Sequence, residues 1–243
     1  MRTANPALSD KAFQIPQATG EATMTINGTV SKTGIALLLL LMSASWTWQQ
    51  AYAGADISAP LILGLLGGLI CAFVTIFKKT WAPITTPIYA LLEGLVLGGI
   101  SAIFERSYPG IVIQAVGLTF GTLFALLLAY QSGMIKVTEN FKMGIVAATG
   151  GIFLVYLVNF IMGFFGARIP FIHESGWLGI GFSLFVVVIA ALNLVLDFDF
   201  IEKGAEHGAP KYMEWYGAFG LMVTLIWLYL EILRLLAKLQ SRR

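Results

Sequence analysis

Glu93, Asp197, Asp199 and Glu231 sit in or at the ends of long apolar runs, and no Lys or Arg interrupts the stretches around the first three. An ionisable side chain at bilayer depth costs roughly 2.5–3.5 kcal/mol on insertion scales, so such groups face a packed interior or a wet cavity and mark proton or ion routes. Burial disfavours the charged form of a carboxyl without a partner. The chemistry expected of these residues is the uptake and release of a proton or a cation. Asp197 and Asp199 are two positions apart, hence about 200° apart around a helix, so only one of them faces a bundle interior. Asn193 lies one turn before Asp197 and makes a polar stripe with it. Asp197 is therefore the interior candidate, while Asp199 is expected at the headgroups or in a loop, in a solvated boundary with Glu202 and Glu206. Glu231 precedes Arg234 by three positions, a spacing that suits a local ion pair. Glu93 lies mid-helix beside Gly94 and Gly98, which implies a neighbouring helix passing close by.

The elements that must hold these groups are helices in a membrane. Of the 243 residues 58% are hydrophobic and 12% charged, and mean hydropathy is +0.82. Soluble domains carry about 25% charged residues. Seven apolar segments, at 33–52, 57–77, 85–104, 111–130, 144–166, 177–198 and 213–235, reach the roughly 20 residues of a spanning helix and far exceed a barrel strand. The fold class is all-α, a polytopic transmembrane helix bundle. Residues 1–31 are polar, with Pro6 and Pro16, and form a flexible N-terminal tail; 32–243 form one transmembrane helical domain. The apolar run after Lys32, ending at Ala51-Tyr-Ala53, faintly resembles a signal peptide, but a 32-residue polar leader is a poor n-region.

Lys and Arg counts favour a cytoplasmic N-terminus, because Arg2, Lys11, Lys32, Lys78, Lys79, Lys136, Lys142, Lys203 and Lys211 then share one side against Arg106 and Arg168. Arg234, Lys238, Arg242 and Arg243 dissent after seven crossings, and a re-entrant last segment would reconcile them; six and seven crossings both stand. Trp46, Trp48, Trp81, Trp177 and Trp215 fit interfacial anchors. Gly64 with Gly68, Gly94 with Gly98, and Gly117 with Gly121 are small-xxx-small pairs that permit close helix crossing.

A net charge of +2 is too small to suggest nucleic acid. No phosphate-binding glycine loop or His-Glu-x-x-His is present. His173 and His207 both lie in loops, and the single Cys71 excludes an intrachain disulfide. Gly181-Phe-Ser183 offers a serine but no histidine within a span, and an aspartyl pair would lack its usual Gly-x-Gly-Asp context. The chain is not expected to be an enzyme or to carry a cofactor.

The stretch Tyr89-Ala-Leu-Leu-Glu-Gly-Leu-Val-Leu-Gly98 resembles a helix of the Bax-inhibitor family. Leu196-Asp-Phe-Asp-Phe-Ile-Glu-Lys-Gly-Ala-Glu-His-Gly-Ala-Pro-Lys-Tyr-Met-Glu-Trp215 resembles its sixth-helix aspartate, acidic loop and last-helix start. Asn5-Pro-Ala-Leu-Ser9 and Met24-Thr-Ile-Asn-Gly-Thr-Val-Ser-Lys-Thr33 are similar to a bacterial branch, the YccA- and YetJ-like proteins, with a longer tail. The resemblance covers nearly the whole chain. It implies a seven-helix bundle with the last helix surrounded by the other six, in a bacterial plasma membrane. It also implies a pH-sensitive calcium leak controlled by two carboxylates on the last two helices. Asp197 matches the first, with Asp199 as a one-register alternative. The chain departs at the second: aligning Ala218 and Arg234 without gaps puts Thr224 there, and Glu231, two turns further on the same face, could stand in from a different depth. Glu93 matches an early-helix acid and Arg234 a basic residue that can pair with it.

The function these observations imply is a pH-sensitive cation (calcium) leak channel or transporter. Asp197 would be its proton- and ion-sensing group, where calcium could bind transiently, with Glu93 and Arg234 helping to gate it. The alternative is a non-conducting membrane regulator that binds a membrane protease or a stress-response partner through residues 1–31.

Overall fold

The computed structural model describes residues 22–166 and 176–242. The tail residues 1–21, Arg168, His173 and Arg243, which entered the reasoning above, lie outside them. Seven helices are present among the described residues: α1 (Ile26–Tyr52), α2 (Ser58–Phe77), α3 (Ala82–Ser107), α4 (Ile111–Gln131), α5 (Glu139–Phe164), α6 (Trp177–Glu206) and α7 (Met213–Gln240). All seven are long and apolar enough to cross a bilayer. At 1.5 Å per residue even the 20-residue α2 reaches about 30 Å, the hydrocarbon thickness. Their exposed positions are apolar, among them Leu63, Ile70 and Phe73 on α2 and Phe153 and Phe160 on α5, as lipid-facing surfaces require. This is an integral membrane protein.

Local chemistry sets the helix ends. Thr25 caps α1, its Oγ1 accepting from the Gly28 amide at 3.0 Å, and Thr138 caps α5 through the Phe141 amide at 3.2 Å. Pro83 stands in the first turn of α3, where its missing N–H costs nothing. Gly110 takes φ +85° before α4, a conformation open to glycine. Four ends lie five or more residues outside the hydropathy reading, among them the start of α5, which the Thr138 cap sets at Glu139. α1 begins at Ile26, inside the expected tail, because Thr25 supplies a cap. α6 continues past Phe198 to Glu206 and α7 past Leu235 to Gln240. Charged residues can prolong a helix that hydropathy alone terminates.

The helices form two compact units. One takes the described chain up to Pro109 together with Asp199–Val223. In it α1 crosses α3 where Gly94 and Gly98 meet Leu40, Ser43 and Ala44, and α2 meets α3 where Gly64 and Gly68 lie against Leu92, Glu93 and Val96. The other takes Gly110–Phe198 together with the chain from Thr224. Its apolar centre is Ile152, Val186 and Ile189, with Phe182 and Trp227 packed on them. Gly117 and Gly121 have no neighbouring atoms within 4 Å of an added Cβ, so among the described residues this glycine pair makes no close helix crossing. α7 is the most covered helix, with 67% of its apolar window buried.

Candidate functional site

Within the second unit, α5, α6 and α7 each turn one face inward. On α6 that face runs through Ser183, Val186, Ile189, Asn193 and Asp197, spaced three or four residues apart and all buried. Asp197 is 0% exposed, and neither carboxyl oxygen reaches a hydrogen-bond partner. The Thr224 side chain of α7 is turned towards it without completing a hydrogen bond of good geometry. One turn away, Asn193 donates to the Thr149 hydroxyl of α5 at 2.9 Å and to the Ile189 carbonyl at 2.8 Å. Buried polar groups are nearly always hydrogen-bonded, so a carboxyl held without a partner calls for a functional reason.

Two turns along α7 from Thr224 lies a second polar group. Glu231, 2% exposed, accepts from the Tyr156 hydroxyl of α5 at 3.0 Å and from the Arg234 guanidinium at 2.8 Å. Arg234 also donates to the Tyr156 oxygen at 2.8 Å and lies over the Tyr156 ring, closing a triangle of three side chains. Its side chain is 41% exposed, so the triangle has one open edge. Arg234 thus directs its hydrogen bonds to Glu231 and Tyr156; Glu93, which the resemblance offers it as a partner, belongs to the first unit. A turn further on, Lys238 donates to the Ser183 hydroxyl at 2.8 Å and the Gly179 carbonyl at 3.0 Å. A serine bonded to a lysine is the pairing used by some nucleophilic hydrolases, but here both side chains are buried.

The remaining candidate acids lie in the first unit. Glu93 is half-buried on α3, and a Cβ placed on Gly68 of α2 would come 2.8 Å from its Oε1. Asp199 is not the solvated boundary residue expected: it is 7% exposed and bonded to Lys203 at 2.7 Å, because α6 continues and puts Lys203 one turn beyond it. Glu206 is exposed as anticipated, and Glu202 is partly covered. The best-bonded acid is one the sequence reasoning did not single out. Glu214, 0% exposed, accepts from the Thr25 amide at 3.0 Å, the Thr25 hydroxyl at 2.8 Å and the Lys211 ammonium at 2.7 Å, and also from Lys32. Backbone bonds add to this strap: the Met24 amide donates to the Ala209 carbonyl at 2.7 Å and the Lys211 amide to the Ala22 carbonyl at 3.1 Å.

Lys238 could have been found from its spacing, one turn past Arg234 and two past Glu231. Glu214 stands three residues after Lys211 in the quoted loop motif. Thr149 and Tyr156 gave no signal, being ordinary residues of an apolar helix. Among the described residues no three His, Cys, Asp or Glu side chains converge, so a cation at Asp197 would meet one carboxylate and neutral oxygens.

No curated protein and no solved structure matches the chain. The family model described as Bax inhibitor 1 like matches residues 5–241. That span takes in α1 to α7 and with them every acid placed above, and the chain belongs to the Bax inhibitor 1-like family.

Proposed function

We propose that this protein is a pH-sensitive cation leak channel or transporter, with calcium as the permeant ion, in a bacterial plasma membrane. The observation that carries the reading is Asp197: a carboxyl fully buried in a spanning helix, with Thr224 as its polar neighbour and no hydrogen bond of its own. A group so placed holds charge or proton according to conditions, and each state favours a different packing of α6 against α7, the two-state bias on which switches depend. Family membership supports the reading, as does the resemblance of the helix and loop motifs. The function needs neither a catalytic centre nor a bound cofactor.

The test is calcium entry into dye-loaded liposomes containing the full-length protein, recorded against pH for wild type and Asp197→Asn. A pH-dependent influx altered by the substitution is expected. Absence of influx at every pH from protein shown to be folded would overturn the reading in favour of a non-conducting regulator. That alternative would use residues 1–31, of which 22–25 are bonded to the loop between α6 and α7 and to the start of α7.

A further inference from the structure

The polar groups through which α5, α6 and α7 face one another around the apolar centre fall at two levels, with an apolar layer between them. Thr149, Asn193, Asp197 and Thr224 make the first level; Tyr156, Glu231 and Arg234, with Lys238 and Ser183 a turn beyond, make the second. Between them lie Ile152 of α5, Val186 and Ile189 of α6 and Trp227 of α7, packed on one another. The register agrees on all three helices. Thr149 to Tyr156 and Thr224 to Glu231 are each seven residues forward, about 10 Å, and Asn193 to Ser183 is ten residues backward, about 15 Å, as an antiparallel α6 requires. Three helices changing from polar to apolar to polar at matched depths is more than a packed core needs, since lipid-facing helices gain nothing from buried charge.

We propose that Ile152, Val186, Ile189 and Trp227 form a hydrophobic barrier in a cation path, and that the Glu231–Tyr156–Arg234 triangle is its second ion station. Asp197 is the enclosed station. Glu231 is the one nearer the outside, reached past the half-exposed Arg234, whose guanidinium occupies the carboxylate until a cation displaces it. An apolar constriction blocks ions by excluding water. Conduction therefore requires the layer to wet, and any hydroxyl placed in it lowers that barrier. This inference rests on the conducting reading above and names the gate within it.

The experiment uses the same liposomes with Val186→Thr, nearly equal in volume, and Ile189→Thr. The control is Val188→Thr on the exposed side of α6, and each variant is checked for a single monodisperse species and an unchanged melting temperature within a few degrees. The barrier variants should raise calcium influx about tenfold, equivalent to about 1.4 kcal/mol off the barrier, with the control at the wild-type rate. Glu231→Gln should lower influx in the same background. Wild-type influx that responds to Asp197→Asn but not to either barrier variant would overturn the barrier and leave the conducting reading standing. Wild-type influx raised by Val186→Thr or Ile189→Thr and left unchanged by Val188→Thr would support the barrier together with the conducting reading. Silence in all of them would overturn both.

Discussion

Gly98→Ala adds one methyl group at the crossing of α1 and α3. That methyl would stand 2.8 Å from the Ala44 carbonyl carbon and 2.9 Å from its Cα, with the carbonyl oxygen closer still. Ordinary contact begins at 3.4 Å, so the helices must separate by at least about 0.6 Å, judged from the carbon alone. Backbone cannot rotate away as a side chain can. Overpacking of this kind costs about 1–3 kcal/mol, while replacing helical glycine by alanine gives back about 1 kcal/mol in propensity. In a bilayer, where helices associate through close van der Waals contact, the separation also loosens Gly94 against Leu40 and Ser43, one turn away. The two terms leave a loss of about 0–2 kcal/mol, and the loosened contact at Gly94 puts the expectation in the upper half of that range. Gly121→Ala is the internal control: nothing lies within 4 Å of its added Cβ, so only the propensity gain remains. Thermal unfolding in detergent, followed by circular dichroism, should therefore place Gly98→Ala below wild type and Gly121→Ala at or above it. If Gly98→Ala melted with or above Gly121→Ala, α1 and α3 would not cross closely at Gly98.

Other outcomes follow from the hydrogen-bonded acids. Glu214→Gln removes the charge held by Lys32 and Lys211; breaking a buried pair costs about 3–5 kcal/mol, and because Lys211 is half-exposed and can turn to water the loss should be nearer 2–3 kcal/mol, read as a lower melting temperature and faster proteolysis near Thr25. Tyr156→Phe leaves the Glu231–Arg234 bond but removes one partner from each, so about 1–2 kcal/mol should be lost, with Glu231→Ala costing more. Asn193→Leu deletes the bond to Thr149 and should lower stability by about 1 kcal/mol, while Asn193→Gln should not restore it. In the loop before α2 the Ser58 amide donates to Asp56 at 2.9 Å, and the Ser58 hydrogen bonds hold the Asp56 carboxyl below its usual 3.8. A lowered folded value means that this contribution is present above pH 3.8 and is lost as pH falls through the lower value. Protection of the amides at the start of α2, taken relative to their intrinsic exchange rates, should therefore fall only in strong acid, and should be lower at every pH above that in Asp56→Ala.

Hydropathy located all seven helices because bilayer thickness imposes length on each, and Asp197 was legible because an acid amid Leu196, Val195 and Leu194 has few structural excuses. What escaped was everything that depends on which helices are neighbours. Tyr156 and Thr149 are unremarkable until α5 is known to face α6 and α7. Rotation from Asp197 turns Asp199 away from the centre of the second unit, but α6 runs on past Phe198 and sets Lys203 beside it. Glu214 stood in a quoted motif, but its partners Thr25 and Lys32 lie at the other end of the chain. Gly117 and Gly121 share the spacing of Gly94 and Gly98 without sharing their contact, since spacing states what a helix permits and not what lies beside it.

Thr25 caps α1, the first of the described helices, yet its amide and hydroxyl both answer to a carboxylate 189 residues later. At about 5–20 residues per second of synthesis, some 10–40 s separate the two ends of that bond. Throughout that interval Lys32 has no Glu214 to meet, and the first helix sits in the membrane with its beginning unsecured. Only a chain made through to α7 can fasten it. A truncated or stalled product therefore leaves residues 22–25 loose on the membrane surface, a mark by which quality-control proteases could tell an unfinished molecule from a finished one.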